Sequence, residues 1–109
     1  MTLQHQNLAA GRWQKLSLME QLGNIGSEIS RAALADGKDK KKFESAVNRA
    51  IELFDLTLDD PRWRGRLKEI ARAKEVFLDT ALGAKHYRCS LKELDEYFLP
   101  FAIAARLQH

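Results

Sequence analysis

A run of basic residues between positions 62 and 74 is the part of this sequence best suited to binding chemistry. Arg64, Lys68 and Arg72 follow i, i+4, i+8 spacing, which places three cations in one row if the segment is an α-helix. Such a row can neutralise successive phosphates of RNA or DNA, and the resulting affinity weakens as salt rises. The predicted nucleic-acid-binding residues are Arg62, Arg64, Arg66, Lys68 and Arg72.

The same charges permit a second interpretation. Glu69, Glu75 and Asp79 share the predicted helix, and charged residues on helices often do no more than solvate an exposed face. A further basic cluster follows the predicted first helix: Lys38, Lys40, Lys41 and Lys42. The formal net charge of +3 and the pI near 9.2 permit a nucleic-acid partner without requiring one.

Residues that would support catalysis are sparse. The histidines, His5, His86 and His109, lie in a leader, in a loop and at the last position, and none has a second ligand at helical spacing. The chain also lacks a Gly-rich phosphate loop, a dinucleotide fingerprint, an inward Glu-x-x-His pair and an arginine four to seven positions before His86. We therefore predict no metal, no cofactor and no enzymatic activity. A metal-free enzyme that uses Glu and Lys residues inside a bundle is the remaining catalytic alternative.

The elements that would position these residues are helices. In the segment 40–59 the apolar residues fall within an arc of roughly 140° on a helical wheel, which is the width of a core-facing stripe. These residues are Phe43, Ala46, Val47, Ala50, Ile51, Phe54 and Leu58. A helix with this pattern cannot bury its apolar face alone, so the rest of the chain must supply the other walls of a core.

Three further segments have the same amphipathic pattern, and we predict helices at about 17–35, 61–82 and 91–107. Ser17 and Ser90 each begin a capping box, and Asp60 followed by Pro61 suits the start of a helix. Residues 1–13 are expected to be a loose leader whose end is pinned by Trp13. The 109 residues therefore predict a single all-α domain, an antiparallel up-down-up-down four-helix bundle.

Lys74 lies in the middle of the apolar arc of the predicted third helix. A buried lysine needs a carboxylate partner or must lose its proton. Alternatively, its aliphatic stem carries the ammonium group out to the rim of the bundle.

Small residues on the first helix predict close packing. Gly23, Ser27 and Ser30 share one face, and glycine within a helix costs about 1 kcal/mol relative to alanine. Close approach of another helix, including one from a second copy of the chain, would explain that cost, whereas the alternative is a weak, exposed helix. If Leu34, Leu56 and Val76 join this face in one patch, the patch would mark a self-association surface. We predict a homo-oligomer with Gly23, Ser27 and Ser30 at its interface.

The compartment is expected to be the cytoplasm, with no membrane partner. The sequence has no apolar run near the ~20 residues that span a bilayer, and its N-terminus lacks the features of a signal peptide. Cys89 is the only cysteine, so no intrachain disulfide is possible, which fits a reducing environment, and we predict that it is structural or incidental.

Part of the sequence resembles a known family. Asn24-Ile25-Gly26-Ser27-Glu28, a Gly-Lys-rich turn, and then Phe43, Ala46, Arg49-Ala50 and Glu52-Leu53 are similar to the four-helix-bundle proteins encoded in 23S rRNA intervening sequences. The accessory variability proteins of diversity-generating retroelements belong to the same broad group. The resemblance covers roughly residues 17 to 81. It implies antiparallel bundles that assemble into barrel-like pentamers and, for the retroelement member, binding of nucleic acid and of a reverse transcriptase through a basic surface.

Two functions are consistent with these observations. The first is a non-catalytic, oligomeric adaptor or accessory protein that binds nucleic acid through the basic face of helix three. The second is a protein–protein interaction module, with a partner encoded nearby, whose charges only solvate its surface.

Overall fold

The structure, a computed structural model, describes residues 11–84 and 86–107. The helices are α1 (Leu18–Ala35), α2 (Lys40–Leu58), α3 (Leu67–Leu82) and α4 (Leu91–Leu107), with short 3-10 segments at Trp13–Lys15 and Pro61–Arg66. The predicted all-α four-helix bundle is confirmed, and the described part of the chain contains no strand. Residues 1–10 of the predicted leader, which include His5, lie outside the described residues, as does His109.

Local capping sets the helix boundaries much as expected. The Glu20 amide donates to Ser17 Oγ at 3.2 Å and the Ser17 amide donates to Glu20 Oε1 at 2.9 Å, so the capping box at the start of α1 is complete. Gly37 follows α1 with a φ of 72°, a conformation that glycine adopts without steric cost. The Asp39 side chain then accepts a hydrogen bond from the Lys42 amide at 3.0 Å and caps α2.

The prediction of one continuous third helix over 61–82 is wrong for residues 61–66. Residues 61–66 form a tighter 3-10 segment in which Trp63 leaves helical geometry, with φ −104° and ψ 23°, and α3 begins only at Leu67. Asp60 caps this segment by accepting from the Arg62 amide at 3.0 Å, as its position before Pro61 predicts. A tertiary contact accounts for the difference, because the Trp63 indole donates to Gln21 Oε1 at 2.9 Å and is held against α1.

The four apolar stripes converge on one core. Phe54 is its centre: its ring lies 6.0 Å from that of Phe77 and 6.1 Å from that of Phe98, the latter in an edge-to-face arrangement. Trp13 is fully buried in the same core. The helix α1 packs closely along both α2 and α4, whereas α3 packs on α2 and meets α4 at few positions. The bundle is therefore tight around α1 and open between α3 and α4.

Lys74 has a carboxylate partner and also carries its ammonium group out to the rim of the bundle, which are the two arrangements expected for a lysine in an apolar arc. Its ammonium group lies 2.6 Å from Asp55 Oδ1, and its side chain is 25% exposed. The stem therefore covers part of the core while the charge sits, with a carboxylate partner, at the rim between α2 and α3.

Close approach of α4 explains the glycines of α1. A Cβ added at Gly26 would lie 2.8 Å from Phe98 Cβ, and a Cβ added at Gly23 would lie 3.1 Å from Ala102 Cα. These pairs run in opposite directions along the two helices, so α1 and α4 are antiparallel. The close packing predicted for Gly23 is thus made by a helix of the same chain.

We expect Gly26→Ala to destabilise the fold. Overpacking in a core costs about 1–3 kcal/mol, whereas the higher helix propensity of alanine returns at most about 1 kcal/mol, so the net loss should be about 1–2 kcal/mol. Urea unfolding monitored by circular dichroism measures this change. Gly65→Ala is the matched control, because nothing lies within 4 Å of a Cβ added there. An equal loss for both variants would contradict the proposed contact.

Candidate binding surfaces

Arg62, one of the predicted phosphate-binding residues, is engaged inside the chain. Its guanidinium group donates to Asp60 Oδ2 from Nη2 at 2.7 Å and to Asp60 Oδ1 from Nε at 3.0 Å. The same Nη2 donates to the carbonyl of Leu16 at 2.8 Å, and the group lies 4.4 Å from the ring centroid of Trp63. These contacts join the 61–66 segment to the chain that enters α1, so the structure gives Arg62 a stabilising role.

A buried polar cluster surrounds this ion pair. The side-chain amide of Gln21 donates to Asp60 Oδ2 at 3.1 Å and to the carbonyl of Trp13 at 2.9 Å, and its oxygen accepts from Trp63. The Trp13 indole donates to Thr57 Oγ1 at 3.1 Å. Gln21 and Thr57 are fully buried and Asp60 is 2% exposed, so each hydrogen bond replaces one that water would make. Sequence reasoning missed this cluster because Gln21 and Thr57 resemble ordinary surface residues until their partners are known.

The ion pair shifts the titration of Asp60. Hydrogen bonds from the Arg62 side chain, helped by the Arg62 amide and Gln21, lower the pKa of Asp60 from 3.8 to about 2, and they outweigh the opposing effect of burial. The same pairing raises the pKa of Arg62. Both groups are therefore charged across the physiological pH range.

The other four predicted phosphate-binding residues are exposed. Arg64 and Lys68 have no side-chain partner within the described residues. Arg66 lies 3.8 Å from Glu69, and the Arg72 guanidinium group lies 5.3 Å from the ring centroid of Tyr87. Arg64 belongs to the 3-10 segment, so the predicted three-residue row on a single helix is wrong, and only Lys68 and Arg72 share helical spacing on α3.

The loop before α4 positions the ring beneath Arg72. The Asp79 carboxylate accepts from the amides of His86 at 3.0 Å and Tyr87 at 3.1 Å, and it lies 2.9 Å from His86 Nδ1. Burial opposes ionisation, but these hydrogen bonds hold the pKa of Asp79 below its ordinary value. The Tyr87 hydroxyl donates to Glu75 at 3.1 Å, which fixes the ring on the surface of α3.

A second surface is the outer face of α4, which we define by Leu99, Ile103 and Leu107. These residues follow i, i+4, i+8 spacing, and their exposed fractions are 56%, 47% and 81%. They point away from the core, towards which Phe98 is directed. No element in the described part of the chain covers this apolar stripe.

The predicted self-association residues lie beside this outer face. Ser27 and Ser30 line a groove of about 320 Å³ between α1 and α4, and Leu99 lines the same groove. Gly23 lies at the base of this groove, against Ala102. Self-association through these positions stays a prediction. Leu34 and Val76 line two other grooves, so they do not join Gly23, Ser27 and Ser30 in one patch.

A third surface is the apolar groove of about 480 Å³ left where α3 and α4 separate. Val76, Leu94 and Tyr97 contribute to its walls, and charged side chains lie along its rim. Cys89 faces this groove, but burial and the nearby carboxylate of Glu93 raise the pKa of its thiol. A thiol in this environment is a poor nucleophile at neutral pH, which supports a structural role for Cys89.

The described residues contain no group of three or more His, Cys, Asp or Glu side chains arranged to hold a metal ion. Within the same ranges, none of the helices combines the length and the apolar character that crossing a bilayer requires. No family model, no curated protein and no solved structure matches the chain.

We expect Asp60→Asn to remove a pH-dependent part of the stability. Because the pKa of Asp60 is lower in the folded state than its ordinary value of 3.8, its contribution is present above that value and is lost as the pH falls towards 2. The difference corresponds to about 2 kcal/mol. Between about pH 7 and about pH 3 the wild type should lose about half of this contribution, roughly 1 kcal/mol, in addition to the loss seen in the variant, because pH 3 lies between the two pKa values. Urea unfolding at the two pH values measures the difference.

Asp59→Asn is the control for that measurement, because Asp59 is an exposed neighbour. It should keep the pH dependence of the wild type. Identical pH dependence in the wild type and in Asp60→Asn would show that the Asp60–Arg62 pair does not stabilise the fold.

Proposed function

We propose that this chain is a non-catalytic, self-associating helical bundle that acts as an adaptor or accessory protein. The observation that supports this function is the uncovered apolar outer face of α4. Single exposed apolar residues are normal on a protein surface, but three large aliphatic side chains in helical register form a continuous stripe. The opposite side of α4 already packs on the core, so α4 is apolar on two faces, as is typical of a helix at a subunit interface.

The charges that flank the stripe favour a second copy of the chain as its cover. Antiparallel pairing of two α4 helices about a twofold axis near position 101 places Leu99 opposite the partner's Ile103. The same pairing places Glu96 opposite the partner's Arg106, and both residues are exposed in the single chain. A twofold interface must be self-complementary in this way. Ser27 and Ser30, beside Leu99, present no bulk that would obstruct the approaching helix.

A reducing compartment suits the single cysteine, and we place the protein in the cytoplasm. The resemblance to the 23S rRNA intervening-sequence proteins also supports assembly, because that family implies oligomeric bundles.

We expect Ile103→Glu to disrupt the assembly without unfolding the chain. Ile103 is 47% exposed, so the substitution changes the interface more than the core. Light scattering coupled to size-exclusion chromatography should give a multiple of 12.5 kDa for the wild type and the monomer mass for the variant. Leu82→Glu is the control, because Leu82 is 75% exposed at the end of α3, away from the outer face. A wild type that is monomeric at its highest soluble concentration would refute self-association.

Nucleic-acid binding is the second candidate function, and the exposed side chains of Arg64, Arg66, Lys68 and Arg72 favour it. Arg64 and Lys68 are the strongest candidates for phosphate contacts, since neither has a side-chain partner in the described ranges. The resemblance to the accessory proteins of retroelements also implies nucleic-acid binding through a basic surface. The alternative is a protein–protein interaction module, with a partner encoded nearby and no nucleic-acid contact. Arg62 falls outside this surface because its guanidinium group is bound to Asp60.

We expect the double variant Arg64→Gln, Lys68→Gln to weaken the binding of single-stranded RNA and to reduce its salt dependence. Each phosphate contact contributes about −0.7 to the slope of log K against log salt, so the slope should become shallower by about 1.4. Fluorescence anisotropy over a salt series measures both quantities. The control Lys15→Gln, Lys92→Gln removes the same charge from exposed positions elsewhere. Absence of RNA and DNA binding at low salt would leave the protein-interaction module as the better account.

A further inference from the structure

A third groove lies between α1 and α2, next to the turn that joins them. It has a volume of about 580 Å³, within the range of about 300–1,000 Å³ that is usual for ligand clefts. Its apolar lining comes from Leu34, Ala35 and Ala46, and Leu34 is 71% exposed. We call this site the basic groove because four cationic side chains also line it: Arg31, Lys38, Lys42 and Arg49.

The positive charge of the basic groove is not balanced by the acidic residue that lines it. Asp39 is the single carboxylate among the groove-lining residues, and its side chain accepts a hydrogen bond from the Lys42 amide at 3.0 Å. Arg31 also contacts Glu28, which is buried outside the groove. Lys38 and Lys42 have no side-chain partner within 11–84 or 86–107, so their ammonium groups are available to a ligand.

The spacing of the cations indicates the shape of the ligand. Lys42 and Arg49 are seven residues apart on α2, which corresponds to about 10 Å along the helix axis. Arg31 lies on α1, and Lys38 lies in the turn that follows this helix. Arg31 and Arg49 already interact within the chain, so Lys38 and Lys42 are the cations that a ligand can pair with. A peptide can place carboxylates on these two lysines and an aliphatic side chain on Leu34 and Ala46, whereas a single phosphate or carboxylate leaves the apolar part of the groove uncovered. The Asp39 carboxylate also occupies the N-terminus of α2, so a free anion does not gain the backbone amides there.

We propose that the basic groove binds an acidic, amphipathic peptide segment of a partner protein. An aliphatic side chain of that segment contacts Leu34 and Ala46 while its carboxylates pair with Lys38 and Lys42 along the rim. A single-stranded nucleic acid fits less well, because the residues that line the groove include no aromatic ring on which a base could stack. The proposal deepens the adaptor role by naming the chemistry of a partner. No α4 residue lines the groove, and Lys38 and Lys42 do not line the groove between α1 and α4, although Arg31 borders both.

Fluorescence anisotropy with the full chain tests this proposal. The probe is a fluorescein-labelled peptide with leucines at i, i+4 spacing and glutamates or aspartates at the remaining positions. The comparison probes are a peptide of the same composition in scrambled order and a labelled oligouridylate. Lys38→Glu, Lys42→Glu should weaken binding of the amphipathic peptide at least about tenfold, because each substitution replaces an attraction with a repulsion.

The matched control is Lys40→Glu, Lys41→Glu, which makes the same change in net charge in the same turn but outside the groove. It should weaken peptide binding less than about twofold, the effect of exposed charges at a distance. Loss of fold does not account for the tenfold effect, since Glu in the first turn of α2 interacts favourably with the helix dipole. Leu34→Ser should weaken binding about fivefold by removing apolar contact area.

Three results would overturn the proposal. The first is an equal loss in the two charge-reversal variants, which would indicate a non-specific effect of net charge. The second is equal affinity for the scrambled peptide, and the third is binding of the oligouridylate in preference to the peptide. Light scattering gives the molecular mass of each variant. Self-association depends on α4 and not on Lys38 or Lys42, so a variant that loses peptide binding but keeps the mass of the wild type has lost the basic groove and not the assembly.

Discussion

The close contact between Gly26 and Phe98 is the constraint on which the rest of the arrangement depends. With no side chain at Gly26, α4 lies directly against α1, and Phe98 reaches Phe54 at the centre of the core. Because α1 is covered by α2 on one side and by α4 on the other, α3 is left with α2 as its main neighbour. The open groove between α3 and α4, and the uncovered outer face of α4, both result from this placement.

The buried polar cluster joins the N-terminal end of α1 to the segment that follows the C-terminal end of α2. Asp60 accepts hydrogen bonds from Gln21 and Arg62, and these two side chains also donate to the carbonyl groups of Trp13 and Leu16. The polar groups therefore exchange hydrogen bonds with water for hydrogen bonds within the protein, and their burial costs little free energy. The bonds are also directional, which sets the relative position of α1 and the 61–66 segment more sharply than apolar packing does. These bonds also engage the guanidinium group of Arg62, whereas Arg64 and Lys68 are exposed and have no side-chain partner among the described residues.

The surfaces of this protein differ in chemistry and lie on different helices. The outer face of α4 is aliphatic, and the surface that carries Arg64, Lys68 and Arg72 is cationic. The groove between α1 and α2 combines an apolar lining with cationic side chains. Each suits a different class of partner: a second copy of the chain, a phosphate backbone and an acidic peptide. An adaptor requires separate surfaces of this kind, because partners that share one surface compete with each other.

The sequence by itself determined the class of fold and most of the helix boundaries. Capping residues such as Ser17 and Asp60 act on amides within one turn, and the apolar stripes follow from helix geometry alone, so both are readable from local spacing. Only the tertiary structure decided which charges are free and which small residues are covered. Arg62 and Arg64 look equivalent in the sequence, yet one is bound by Asp60 and Leu16 and the other faces solvent, because the partners lie on different parts of the chain. Likewise, the helix that covers Gly23 lies about eighty residues further along the chain, a pairing that no local pattern encodes.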